Sequence, residues 1–188
     1  MLTAHMQSRR VTLQPATPAD GMTFYGTLIA TGVESVPSLT DAMKLGGSAA
    51  MFLVTKRTTG EVIGFSTLHG ADQAGRLKCG VFLGDARFGI GWEALLLTIN
   101  YGFAMFPITV MIVETTEASF QRFGLPSDGG SDDEKQAVLE NHVYFRGRYF
   151  DLHSYVIERR EWELGVRYGY YDVQSALAPR GAQAEEAS

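Results

Sequence analysis

An α/β fold of the mixed, α+β kind is predicted by three features of the sequence. Seven short apolar runs have the length and β-branched content of strands. One long apolar helix follows a glycine-bearing turn in the middle of the chain. The 188 residues are 45% hydrophobic and 20% charged, which suits one domain with a substantial core.

The elements are justified in order. Met1 to Arg10 reads as a loose leader. Val11 to Pro15 is a first strand, placed at an edge or stopped early by Pro15 and Pro18. Thr17-Pro18-Ala19-Asp20 is a helix-start signal, and the helix carries Met22, Phe24, Tyr25, Leu28 and Ile29 towards Gly32. Ser38-Leu39-Thr40-Asp41 opens a second helix that ends at Gly46-Gly47. Strands follow at Met51 to Lys56, Glu61 to His69 and Arg76 to Leu83, with a hairpin turn at Thr58-Thr59-Gly60.

Gly80 to Phe106 is the centre of the chain. Val81-Phe82-Leu83 is a short apolar run that suits a strand buried on both faces. Gly89 and Gly91 then provide dihedrals closed to other residues and close approach to the backbone. Trp92, Leu95, Leu96, Ile99, Phe103 and Phe106 share one helix face. Ala94, Leu97, Ala104 and Met105 make the other sides apolar too, so this helix is expected inside the domain. A turn of this kind at a helix start gathers unpaired N–H groups and is a candidate seat for phosphate. An ordinary tight turn is the plainer alternative.

Val110 to Val113 is a further buried strand, Glu117 to Phe123 a short helix, and Leu125 to Lys135 an acidic loop. Val138 to Phe145 and Tyr149 to Glu158 are two strands joined at Arg146-Gly147-Arg148. Glu161 to Ala178 is an added aromatic helix that offers a surface to a homodimer partner. The division is 1–178 as one domain, with its core at 9–163 and a C-terminal extension at 164–178. A disordered tail is expected at 179–188.

The composition also excludes function classes. No apolar run is long enough for a membrane span. No signal pattern stands at the N-terminus. The net charge of −5 argues against DNA as a partner. Cys79 is the only cysteine, which fits the reducing cytoplasm. His5, His69, His142 and His153 lack metal-ligand spacing, so no metal is expected.

With Gly89-Ile90-Gly91-Trp92-Glu93-Ala94-Leu95 at the central helix start, the order of elements resembles the GNAT superfamily of N-acetyltransferases. The stretch from Asn141-His142-Val143-Tyr144-Phe145 to Arg160-Glu161-Trp162 is similar to the branch that includes ribosomal-protein N-terminal (alanine) acetyltransferases. The resemblance implies a twisted, mostly antiparallel sheet of six to seven strands with a splay between the fourth and fifth. It implies acetyl-CoA or another acyl-CoA as co-substrate. Val81 and Leu83 would face the pantetheine arm, and Arg87, Phe88, Gly89, Ile90, Gly91 and Trp92 would lie about the pyrophosphate. Ala86 stands where relatives carry Gln or Arg, and Asp85 adds a negative charge beside the phosphate seat.

Acyl transfer to an amine needs a proton acceptor, an oxyanion donor and a proton for the departing sulfur. The resemblance makes Ser119 the donor to the sulfur, with a helix-start cap as its plainer role. Glu114, at the end of a buried strand, and His142, in the strand 138–145, are the candidate bases. Cys79 on a strand reads as inert packing. The reaction expected is transfer of an acyl group from CoA to a primary amine, on a small molecule or a peptide, by direct attack. Two alternatives stand beside it: a carrier-protein or aminoacyl-tRNA donor, and an acyl-CoA-binding domain without catalysis.

Overall fold

The computed structural model describes residues 2–23, 26, 48–83, 90–115, 136–145 and 148–168. The helix expected from Thr17 towards Gly32 opens with a 3-10 turn at Pro18–Asp20 and is helical over 21–23, while most of its remainder and the helix expected over 38–47 lie outside these residues. So do the short helix and loop between 116 and 135, the turn at 146–147, and everything beyond 168.

Strands β1 (Val11–Pro15), β2 (Ser48–Lys56), β3 (Val62–His69), β4 (Arg76–Leu83), β5 (Val110–Thr115), β6 (Gln136–Phe145) and β7 (Arg148–Glu158) form one sheet. Their order is β1-β2-β3-β4-β5-β7-β6. Every neighbouring pair is antiparallel except β4 and β5, which are parallel. A parallel pair cannot be closed by a tight turn. The crossover is helix α1 (Ile90–Met105), and a shorter helix α2 (Arg159–Arg167) follows β7.

Alternation along the strands divides their side chains between two faces. Leu77 and Cys79 of β4, Met111 and Val113 of β5 and Leu68 of β3 join Leu95, Ile99 and Phe103 of α1 in one buried cluster. Val11, Leu13, Phe52, Val54 and Ile63 meet Ile90, Ala94 and Leu97 in a second. Each Val, Leu, Ile, Phe or Met among them contributes about 1.5–3 kcal/mol on leaving water. Gly64 of β3 permits close strand approach: a Cβ there would stand 2.0 Å from the Phe82 carbonyl oxygen.

Helix α1 has eleven of its sixteen residues buried, as its apolar sequence predicts, although Met105 at its end is exposed. The leader supplies much of the cover, which corrects the expectation that residues 2–10 are loose. Leu2 and Met6 pack against the two clusters. Ser8 is buried, and its hydroxyl donates to Glu93 Oε2 at 2.6 Å. Arg10 adds Nε to Glu93 Oε1 at 2.6 Å and its backbone N–H to Oε2 at 2.9 Å. Asn100, two turns on, donates to the Thr3 carbonyl at 2.7 Å and accepts from Trp162 Nε1 at 3.4 Å. The physical reason is polar satisfaction: a buried carboxylate and a buried amide on α1 need partners, and the leader brings them.

The other end of α1 is closed by Arg159. Its guanidinium donates to the Phe106 and Ile108 carbonyls, both at 2.7 Å, and lies over the Phe103 ring. Charge at a helix C-terminus complements the dipole.

Candidate active site

The parallel pairing of β4 and β5 is short. It runs from Arg76↔Val110 to Cys79↔Val113 and stops. On their far sides both strands stay paired, β4 with β3 out to Leu83 and β5 with β7 out to Thr115. The two strands therefore part after Cys79 and Val113, and a gap opens towards their C-terminal ends. The first turn of α1, beginning at Ile90, follows β4 at that same end. In open sheets, crevices at the carboxyl ends of parallel strands are where ligands sit.

Val81 and Leu83 border this gap through their backbone. Their side chains turn to α1, Val81 against both clusters and Leu83 against the second. Ile90 is buried in the core, and Trp92 packs against the first cluster. Gly91 lies inside α1, and positive φ among the described glycines is confined to Gly60, Gly70 and Gly75. The expectation that Gly91 needs dihedrals closed to other residues is thus corrected. A Cβ there would meet only Leu83, at 3.5 Å. Arg87, Phe88 and Gly89 lie outside the described residues.

The sheet face away from α1 carries polar chemistry at the foot of the gap. Glu114 follows the last β4–β5 pair. Lys78 of β4 donates from Nζ to Glu114 Oε1 at 2.7 Å, with the side chains 41% and 29% exposed. In β3, Thr67 lies opposite Gly80 and His69 opposite Lys78. Thr67 Oγ1 and His69 Nδ1 are hydrogen-bonded at 3.2 Å. Burial holds the His69 imidazole below its ordinary pKa, Glu114 pulls it up and Lys78 pushes it down. A neutral imidazole, a carboxylate and a primary ammonium therefore share one side of the sheet. Phe65 and Phe82 stack nearby at 4.8 Å.

The structure brings Glu114 to the gap but leaves His142 elsewhere. His142 is exposed on β6, the outer edge strand, with β7 between it and β5. It adjoins a bulge where Asn141 takes φ 51° and donates its N–H to Asp151 Oδ1 at 2.8 Å. Ser119 lies outside the described residues. Cys79 is buried, and burial pushes its thiol up to about 12, which suits packing. No group of three or more His, Cys, Asp and Glu side chains that would hold a metal occurs among the described residues. Among them, too, no helix is long and apolar enough to cross a membrane.

Sequence reasoning missed Lys78, Thr67 and His69 as neighbours of Glu114. Period-two alternation puts each on the polar face, but the register that aligns β3 with β4 is set by the turn between them. It missed Glu93 as well, because a charge in a first helical turn reads as solvated.

Seven strands with one parallel, parting pair and a crossover helix at the mouth of the parting define the GNAT acetyltransferase fold. Among solved structures that share it is a GCN5-related N-acetyltransferase from Brucella melitensis, with 18% identity, a TM-score of 0.58, and coverage of 93% of this chain and 85% of that one. A probable GNAT-family acetyltransferase from Chromobacterium violaceum has 17% identity and a TM-score of 0.58, covering 85% and 88%. The spermidine N-acetyltransferase of Vibrio cholerae in complex with CoA and spermine has 11% identity and a TM-score of 0.60, covering 81% and 98%. No family model matches the sequence, and no curated protein matches it significantly.

Proposed function

We propose that this chain is an acyl-CoA-dependent N-acyltransferase that moves an acetyl or other acyl group to a primary amine by direct attack. The observation that carries the reading is the parting of β4 from β5 with the first turn of α1 at its mouth. The N-terminal turn of α1 and residues 87–92 would hold the pyrophosphate, since helix N-termini favour anions. The backbone of Gly80 to Leu83 would receive the pantetheine arm and supply an N–H to the developing oxyanion. Glu114 would take the proton of the attacking ammonium, because an amine attacks only through its lone pair. Ser119 would donate to the departing sulfur.

Acceptors of two chemistries fit the reading. Polyamines are the acceptors named for one neighbour of the same fold. Peptide N-termini are those of the branch that the 141–162 stretch resembles. The reading places the chain in the cytoplasm, where Cys79 stays reduced.

Calorimetric titration with acetyl-CoA and CoA, followed by a panel of polyamines and alanine-terminated peptides, tests the proposal. Binding of both nucleotides and turnover of at least one amine is the expected result. No heat with either nucleotide overturns the CoA donor. Transfer from aminoacyl-tRNA alone would favour the second donor, to which Ala86 in place of the usual Gln or Arg points.

A further inference from the structure

Lys78 and Lys56 each place Nζ 2.7 Å from a glutamate oxygen, Lys78 on Glu114 and Lys56 on Glu61. They differ in position. Lys56 ends β2 beside the β2–β3 turn, on the far side of β3 from β4. Lys78 lies one residue before the last β4–β5 pair, and Glu114 one residue after its own member of that pair. The ammonium of Lys78 is thus held by the carboxylate at the foot of the gap, where an acceptor amine would have to come. It is a primary amine, two-fifths exposed, and its strand continues into the backbone that lines the gap.

We propose that Lys78 is itself an acyl acceptor, N-acylated by acyl-CoA in the gap when no external amine occupies the carboxylate. This rests on the CoA-donor reading above. The ammonium gives one proton to the Glu114 carboxylate, and the freed lone pair attacks the thioester carbonyl carbon. That attack forms the C–N bond and a tetrahedral oxyanion, which collapses by re-forming the carbonyl and cleaving the C–S bond. The second proton lost by nitrogen goes to the CoA sulfur, and the first passes from Glu114 to water. The product is an amide at Lys78 with no charge, so the ion pair to Glu114 ends with the reaction. An external amine competes because it needs the same carboxylate.

The test incubates the full chain with acetyl-CoA without added amine and follows intact mass and modified peptides over time. A single acetyl group is expected, at Lys78 and not at Lys56. Lys78→Arg keeps the charge but presents a guanidinium that does not act as a nucleophile, and it should carry none. Glu114→Gln should slow the modification about 10²-fold or more, the scale of a lost proton acceptor, while calorimetry shows CoA still bound. A polyamine that is turned over should protect Lys78. Lys78 unmodified although CoA binds, or Lys56 modified at the same rate, overturns the inference and leaves the donor reading standing. Absence of both CoA binding and modification overturns the two together.

Discussion

On the α1 side of β4, Leu77, Cys79 and Val81 run into the core, and Cys79 is so enclosed that its thiol is pushed up to about 12. On the other side Lys78 holds Glu114 in an ion pair open to solvent, and along the neighbouring β3 Thr67 is hydrogen-bonded to His69 two residues on. One strand thus builds a packing surface and a polar surface from alternate residues. The comparison teaches that the candidate chemistry belongs to the face a hydrophobic reading passes over. The buried face matters to it by holding β4 still while β5 turns away.

Breaking the polar face should have the largest effect. Glu114→Gln should lower the rate of amine acylation by about 10²-fold or more, with acetyl-CoA affinity unchanged by calorimetry. An unaltered rate would take Glu114 out of the reaction. On the other face the corresponding break is Gly64→Ala. Its Cβ would meet the Phe82 carbonyl oxygen at 2.0 Å and Leu83 Cα at 2.9 Å, both backbone atoms that yield little. Urea unfolding should show a loss of about 1–3 kcal/mol, the scale of overpacking, and β4 should lose definition where it borders the gap. Wild-type stability would mean that β3 and β4 separate there at little cost.

Two smaller effects sharpen the comparison. Ser66 lies fully buried opposite Val81, and its hydroxyl has no hydrogen-bond partner among the described residues. Ser66→Ala removes a polar group that gains nothing from burial. It should raise stability by about 1 kcal/mol, or about 2–4 °C in Tm for a chain of this size. A fall in Tm would show that the hydroxyl is satisfied in solution. His69 gives the smallest effect. Its folded pKa lies below the ordinary 6.5, so its contribution is complete above that value. It is lost as pH falls, because the unfolded chain takes up the proton first. The stability of His69→Gln should therefore decline less steeply than that of the wild type below about pH 6.5. Parallel curves would place His69 in an environment like water.

The strands were legible because their signal is local. Arg76–Leu83 is the range the sequence predicts, and β3, β5 and β7 differ from their predicted limits by a residue or two. Helix α1 begins at Ile90, two residues before its first apolar anchor, Trp92, because Gly91 adopts helical geometry. The leader was misread because nothing local marks it. Ser8 and Arg10 owe their carboxylate partner to Glu93, more than eighty positions away in sequence. Glu114 was found because the end of a buried strand is a local feature, whereas Lys78 and His69 depend on register between strands. His142 is on β6 beside the bulge, and the strand order sends that strand to the rim.

Four paired positions join β4 to β5, whereas its other neighbour, β3, stays in register along most of its length. That seam is where the sheet is least stitched. A long ligand lying along it would act as a staple between β1–β4 and β5–β7. Amide hydrogen exchange in β5 and β7 should then slow on saturation with CoA, even though neither strand need change shape.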